Sequence, residues 1–289
     1  MTCFTTHTPV AAGHDRFSPG LVEEHLGPMR EALGLTREDL VSLGKVEADD
    51  PREAFCMTVL ALRFSRHANA VSSIHGHVSR HMWRHFWSER GVDDVPNGHV
   101  TNGVHVHTWL ASQMRQLYDR HMGPAWSARS GDLEVWRKID AVDDQDLWDV
   151  HREVKERLLI FARRRAARAC RPRGASLLEI GEAGRIFDPE ALTISFARRF
   201  ATYKRATLLL YDLERLVPLL ENQHRPLQLL FAGKAHPNDE PGKQLLQQIA
   251  GLMSQPPFAG RLLFLEGYDI NLDYVRHAYL PAAGGVSRG

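Results

Sequence analysis

From residue 191 to residue 266 the chain alternates between short apolar runs and amphipathic stretches, and no other feature limits its fold as tightly. The runs at 192–196, 227–232 and 261–266 are short and bounded by polar turns, which reads as strands. The stretches at 206–220 and 241–253, with a further one from residue 271, carry apolar residues at helical spacing. An order of strand, helix, strand, helix, strand, helix predicts a parallel, right-handed, doubly wound α/β sheet. In such a sheet the loops leaving the carboxyl ends of the strands form the ligand-binding edge. Those loops are 198–205, Gly233-Lys234-Ala235 and Gly267-Tyr268-Asp269.

The first loop, within ARRFATYKRATLL, is the most strongly charged. Arg198, Arg199, Lys204 and Arg205 are set around Tyr203, with no acid between Arg198 and Leu210. Two readings stand: a solvated basic turn, or a site whose repulsion an anion relieves. Guanidinium groups grip phosphate oxygens in a fork and an ammonium adds a point charge. A helix beginning near Ala206 would aim its positive end at the same place. Arg199, Lys204 and that helix end are therefore the expected anion site, with Arg205 turned to solvent.

ARRFATYKRATLL resembles the phosphate-binding segment of the α-glucan (glycogen, maltodextrin) phosphorylases, in the form carried by the shorter bacterial members. FTTHTPVAAGHDRF, VTNGVHVHTWL, FAGKAHPNDEPGK and LLFLEGYDINL carry the same resemblance. It implies that Arg199 and Lys204 face the substrate phosphate as catalytic groups. Arg198 and Tyr268 would lie near the phosphate of a pyridoxal 5'-phosphate cofactor. Tyr203, His7 and Asn102 would contact the sugar. HANAVSSIHGHVSRHMW keeps the family pattern at Asn69 and His75 but departs from it at Ala70, which replaces Gly, and at His77, which replaces Glu. His107 stands where close relatives often carry Pro, and Arg198 where the family often has Lys.

The resemblance further implies a GT-B-like architecture. Residues 1–106 would end the family's N-terminal, glucan-site domain. Residues 107–289 would begin its Rossmann-like C-terminal domain, which takes the phosphate and cofactor. The implied activity is phosphorolysis of α-1,4-glucan to glucose 1-phosphate with retention, a glycosyltransferase reaction using inorganic phosphate. By the same comparison the chain starts within a domain. It stops before the Gly-rich loop bearing the lysine that forms the Schiff base, so the chain alone is expected to show no turnover. The strand at 262–265 would lack its family neighbour, and an open sheet edge favours association, so poor solubility or a homo-oligomer is expected. Two alternatives remain: a catalytically inactive, glucan-binding remnant, or a GT-B glucan synthase using a sugar nucleotide. The absence of a GxGxxG or Walker loop argues against nucleotide chemistry.

Composition bounds the rest. The 289 residues are 43% apolar and 25% charged with net charge +1, which fits a soluble globular protein and indicates no nucleic-acid or membrane-surface partner. No apolar run approaches the roughly 18 residues of a spanning helix, and MTCFTTHTPV lacks the pattern of a signal peptide. Cys3, Cys56 and Cys170 form no CxxC pair, so a reducing, cytoplasmic setting is expected. His77, His81 and His85 recur every four residues, one face of a helix. Lacking the Glu of HExxH, they read as a polar helix face, and no metal site is expected.

Further helices are expected at 21–33, 51–66, 112–118 and 144–171. The last carries Arg163, Arg164, Arg165, Arg168 and Arg171, read as a solvated basic face on a packed helix. Trp126, Trp136 and Trp148 are expected as packing anchors. Asn102-Gly103 is a turn signal.

Overall fold

The computed structural model of the chain describes residues 2–10 and 13–268. The helix expected from residue 271, Asp269 of the third loop and the carboxyl-terminal residues lie outside that range. Two compact units divide the chain, one spanning Met1–Val104 and the other starting at His105.

The first unit contains a parallel sheet of β1 (Cys3–Thr5), β4 (His67–Ala70) and β5 (Asn97–His99), with β4 in the middle. A short antiparallel pair, β2 (Arg16–Phe17) and β3 (Phe55–Cys56), lies outside it. Helix Pro19–Ala32 starts two residues before the expected residue 21, with Ser18 capping Leu21 N and proline at its first position. The single helix expected at 51–66 is not formed. Glu53 instead accepts from the amides of Val46 and Glu47, and β3 precedes a shorter helix, Met57–Phe64. That helix buries Val59 and Leu62 but leaves Phe64 exposed. Helix Ser73–Trp83 contains His77 and His81, whose ring centroids are 4.6 Å apart; His85 falls on the 3-10 turn Arg84–Trp87 that follows.

His14 lies in the core of this unit. Its Nδ1 is 2.8 Å from Thr58 Oγ1 and its Nε2 is 3.2 Å from Met82 Sδ, with its ring edge-on to Trp83. A thioether only accepts, so Nε2 carries the proton and Nδ1 accepts from the threonine hydroxyl.

The second unit is built on β6 (Leu192–Ala197), β7 (Leu227–Ala232) and β8 (Leu262–Leu265), parallel and in that spatial order, so the predicted α/β alternation is observed as far as the third strand. All six residues of β7 are buried. Leu227, Leu229 and Phe231 pack to one face with Leu216, Leu220 and Ile249 from helices Leu213–Glu221 and Glu240–Leu252. Leu230 and Ala232 pack to the other with Leu158, Leu159 and Ala162 from the long helix Asp144–Cys170. This alternation is the two-residue period of a strand covered on both faces. Gln228 is polar yet buried because its amide is fully used: Oε1 accepts from Asp188 N at 2.9 Å, and Nε2 donates to Asp188 O and Thr193 Oγ1.

Helix Ser112–Met122 runs beyond the predicted residue 118. Of the three expected tryptophan anchors, Trp126 is buried and Trp136 partly so, each donating its indole N–H. Trp148 is 51% exposed and stacks on His151 instead, because it lies on the outer face of the long helix. The expected solvated basic face is exposed at Arg164, Arg168 and Arg171 but corrected at Arg163. Arg163 Nε and Nη2 donate to Ile186 O and Phe187 O, and buried Lys155 Nζ donates to Ala191 O at 2.7 Å. Part of that face ties the helix to neighbouring backbone. Among the described residues, no helix is long and apolar enough to cross a membrane.

Two measurements follow from this packing. At Gly233 a Cβ would lie 2.1 Å from the Arg198 carbonyl oxygen, so Gly233→Ala should destabilise by about 1–3 kcal/mol. At Gly251, inside a helix with open space around it, alanine should stabilise by about 0.5–1 kcal/mol. Urea unfolding of both variants reads the opposite signs; a loss at Gly251 equal to that at Gly233 would contradict the geometry.

The second measurement is pH-dependent. Burial, then the nearby Arg16, holds the His14 pKa below its ordinary value. Between the lowered value and about 6.5 the unfolded chain carries a proton that folded His14 does not. Stability is therefore lost as pH falls below about 6.5. His14→Gln should flatten that decline between pH 7.5 and 5.5 without abolishing it, since His85 and His151 are also lowered by burial.

Candidate functional site

The cationic loop begins where β6 ends, and its path is fixed by backbone rather than by its charges. Parallel pairing with the neighbouring segment continues past the strand: Arg198 N donates to Ala232 O at 3.2 Å and Phe200 N to Lys234 O at 2.8 Å. Phe200 forms a bridge to Ala235, and its ring is buried against Phe196 and Phe264. Gly233 permits this approach, because any side chain there would strike the Arg198 carbonyl and the Phe200 ring.

Beyond Phe200 the chain makes a 3-10 turn, Thr202–Lys204. Arg205 ends it in the left-handed conformation (φ 54°), rare for a residue with a side chain. Ala206 and Leu210 are then buried. Three buried residues thus pin an arch whose outer side presents Arg198, Arg199, Tyr203 and Arg205 to solvent, with Lys204 half-buried. Lys204 Nζ sits 4.7 Å over the Tyr203 ring, a cation–π contact. None of the four cations pairs with a carboxylate among the described residues.

The helix expected at 206–220 is not present as such. Residues 206–212 form irregular structure containing the 3-10 turn Leu208–Leu210, and the helix starts at Leu213. Asp212 caps it, accepting from Arg215 N at 3.1 Å. The apolar spacing of Ala206 and Leu210 suits a helix, but Arg205 leaves helical geometry and Asp212 is the strong N-cap. The positive helix end therefore faces that carboxylate and not the cationic loop.

Tyr268 joins this edge from the third strand. The residues after β8 return toward β6, and the Tyr268 hydroxyl donates to Ala197 O at 3.4 Å, one residue before Arg198. Arg198, Arg199, Tyr203, Lys204 and Tyr268 are therefore brought to one sheet edge, as the alternation predicts. Lys234, exposed after β7, adds a cation to the same edge. The sequence places it on the second loop without singling it out.

His7 and Asn102 belong to the first unit. Thr6 N donates to Asn69 O, so the chain leaves β1 beside the end of β4 and exposes His7 one residue later. Asn102 N donates to Val71 O at 3.1 Å, which brings the segment after β5 to the other side of β4. Asn102 lies on an irregular connection rather than the expected turn, because its amide is taken by β4's continuation. Both residues thus share the carboxyl edge of one parallel sheet, with helix Ser73–Trp83 starting between them. Thr6 Oγ1 and His75 Nε2, at this edge, are buried without a hydrogen-bond partner among the described residues. No group of three or more metal-ligating side chains converges among the described residues.

No family model matches the chain. It is similar to the maltodextrin phosphorylase of Thermococcus litoralis, with 40% identity over 269 residues, which is 93% of this chain and 31% of that protein. The glycogen phosphorylase of Mycobacterium tuberculosis is 41% identical over 277 residues, 94% of this chain and 31% of its own length. That of Aquifex aeolicus is 35% identical over 269 residues, 93% of this chain and 38% of its own. The chain spans about a third of the length of these curated relatives. Over nearly all of its own length, the chain resembles the maltodextrin and glycogen phosphorylases.

Proposed function

We propose that the chain carries glucan- and phosphate-binding residues of an α-1,4-glucan phosphorylase with GT-B-like architecture. The observation that carries this reading is the arch of exposed Arg198 and Arg199 with half-buried Lys204, free of carboxylate partners among the described residues, at a carboxyl edge also reached by Tyr268. The reaction is reversible phosphorolysis of glycogen or maltodextrin, releasing glucose 1-phosphate with retention. Residues up to about 106 serve the glucan and the rest the phosphates.

The donor set suits two phosphate groups. Guanidiniums and an ammonium are donors for phosphate oxygens, and among the described residues no carboxylate pairs with them. Arg199 and Lys204 would hold inorganic phosphate, and Arg198 would hold the phosphate of pyridoxal 5'-phosphate, with Tyr268 lying near it and fixed to the Ala197 carbonyl. When bound, that cofactor supplies a phosphate acting as general acid toward the substrate phosphate. Two phosphates side by side repel, and the cations offset that repulsion. This fixed arrangement is the protein's contribution to lowering the barrier. Tyr203 lies toward the sugar, and His7 and Asn102 hydrogen-bond glucosyl hydroxyls.

Titration calorimetry with inorganic phosphate at low ionic strength tests the reading. A charge-assisted contact contributes roughly 1.5–3 kcal/mol, so Lys204→Ala and Arg199→Ala should each weaken binding by about ten- to a hundredfold. Arg205→Ala should change it less than about twofold. Equal effects at Lys204 and Arg205, or unchanged affinity in Lys204→Ala, would place the site elsewhere. A parallel titration with maltooligosaccharide should lose affinity in His7→Ala and Asn102→Ala and keep it in Lys204→Ala.

A further inference from the structure

We propose that Arg165, on the long helix Asp144–Cys170, is a positioning residue for the anion-binding loop. It does so by fixing the backbone that carries Tyr268. This rests on the phosphate reading of the 198–205 loop, which it extends to a residue that does not touch the anion.

The observations form one continuous chain of contacts. Arg165 Nε donates to Glu266 O at 2.8 Å and Nη2 to Gly267 O at 2.7 Å. A planar guanidinium bonded to two successive carbonyls fixes their direction as well as their distance. Gly267 is in the left-handed region (φ 67°), and a Cβ there would lie 2.7 Å from Arg165 Nη2. The backbone conformation favours glycine, and a Cβ there would displace the guanidinium from its two carbonyls.

The next residue, Tyr268, donates to Ala197 O, and Ala197 is the last residue of β6, immediately before Arg198 and Arg199. Position passes from helix to guanidinium, to the 266–267 carbonyls, to the phenol and to the root of the arch. Donors placed for an anion lose affinity steeply when their support loosens, because the ordering must then be done at binding.

Arg163 provides the control. It also grips two carbonyls, those of Ile186 and Phe187, from the same helix, but its partners adjoin Asp188 and the amino end of β6, the end away from the loop. A purely structural role would make Arg163→Ala and Arg165→Ala alike.

Amide hydrogen exchange of the ligand-free chain is the primary test. Arg165→Ala should raise exchange in 262–268 and in 198–205, whereas Arg163→Ala should raise it near 186–187 and leave 198–205 unchanged. Gly267→Ala, which displaces the guanidinium without removing it, should loosen the same two segments. It serves as the second route if Arg165→Ala fails to fold. Arg165→Lys, able to reach one carbonyl at a time, should restore part of the protection.

Inorganic phosphate affinity should fall about fivefold or more in Arg165→Ala and stay within about twofold of wild type in Arg163→Ala. Unchanged exchange at 198–205 in both Arg165→Ala and Gly267→Ala, or equal loosening by Arg163→Ala, would overturn the proposal. If the wild-type chain binds no phosphate, the functional reading fails, and the exchange pattern alone still decides whether Arg165 positions the loop.

Discussion

The second unit depends on one close approach: the Arg198 carbonyl against Gly233, where β6 and β7 stay paired beyond their last strand residues. Without a side chain at 233 the two backbones can continue side by side, and Phe200 can turn its ring into the core. The cations are then left outside because the residue between them and the helix is buried, not because of any attraction among themselves. Gly242, in the first turn of helix Glu240–Leu252, has a similar role, since a Cβ there would meet the Phe200 carbonyl at 2.5 Å. Backbone contact sets the frame, and the charges occupy what the frame exposes.

Four like charges on a short arch repel one another. Their exposure keeps that cost low, because water and salt screen charges at a surface. Lys204 is the exception in being half-buried, and it lies over the Tyr203 ring, whose negative face partly replaces a counter-ion. Positive charge on the long helix is used differently. Lys155, Arg163 and Arg165 direct their donors to backbone carbonyls, so they act as ties between layers rather than as a charged surface.

The first unit repeats the logic with a smaller sheet. β4 is central, and the segments leaving β1 and β5 are drawn to its end by backbone bonds to Asn69 and Val71. His7 and Asn102, ninety-five positions apart in the sequence, come to one edge because parallel strands all end on the same side. Local sequence around His7 shows only a loop before a proline. The shared edge is a property of the sheet.

Much of this was legible in the sequence because it rests on short-range rules. Strand runs at 192–196 and 227–232, the long helix from Asp144, and the cationic loop between strand and helix follow from periodicity and from where charges are left over. The phosphorylase motifs add the residue roles proposed for Arg199, Lys204 and His7. Tertiary structure decided what competes at longer range. Residues 206–212 suit a helix by spacing, yet they are held irregular by Arg205's left-handed backbone and by Asp212's capping of the helix that follows. Arg163 and Arg165 look like surface charges in a basic run, but their partners are carbonyls twenty-three and about a hundred positions away. Trp148 reads as core by type and lies outside by helix phase. Periodicity reports which side of an element is apolar. Which backbone a donor meets is settled only when the layers pack.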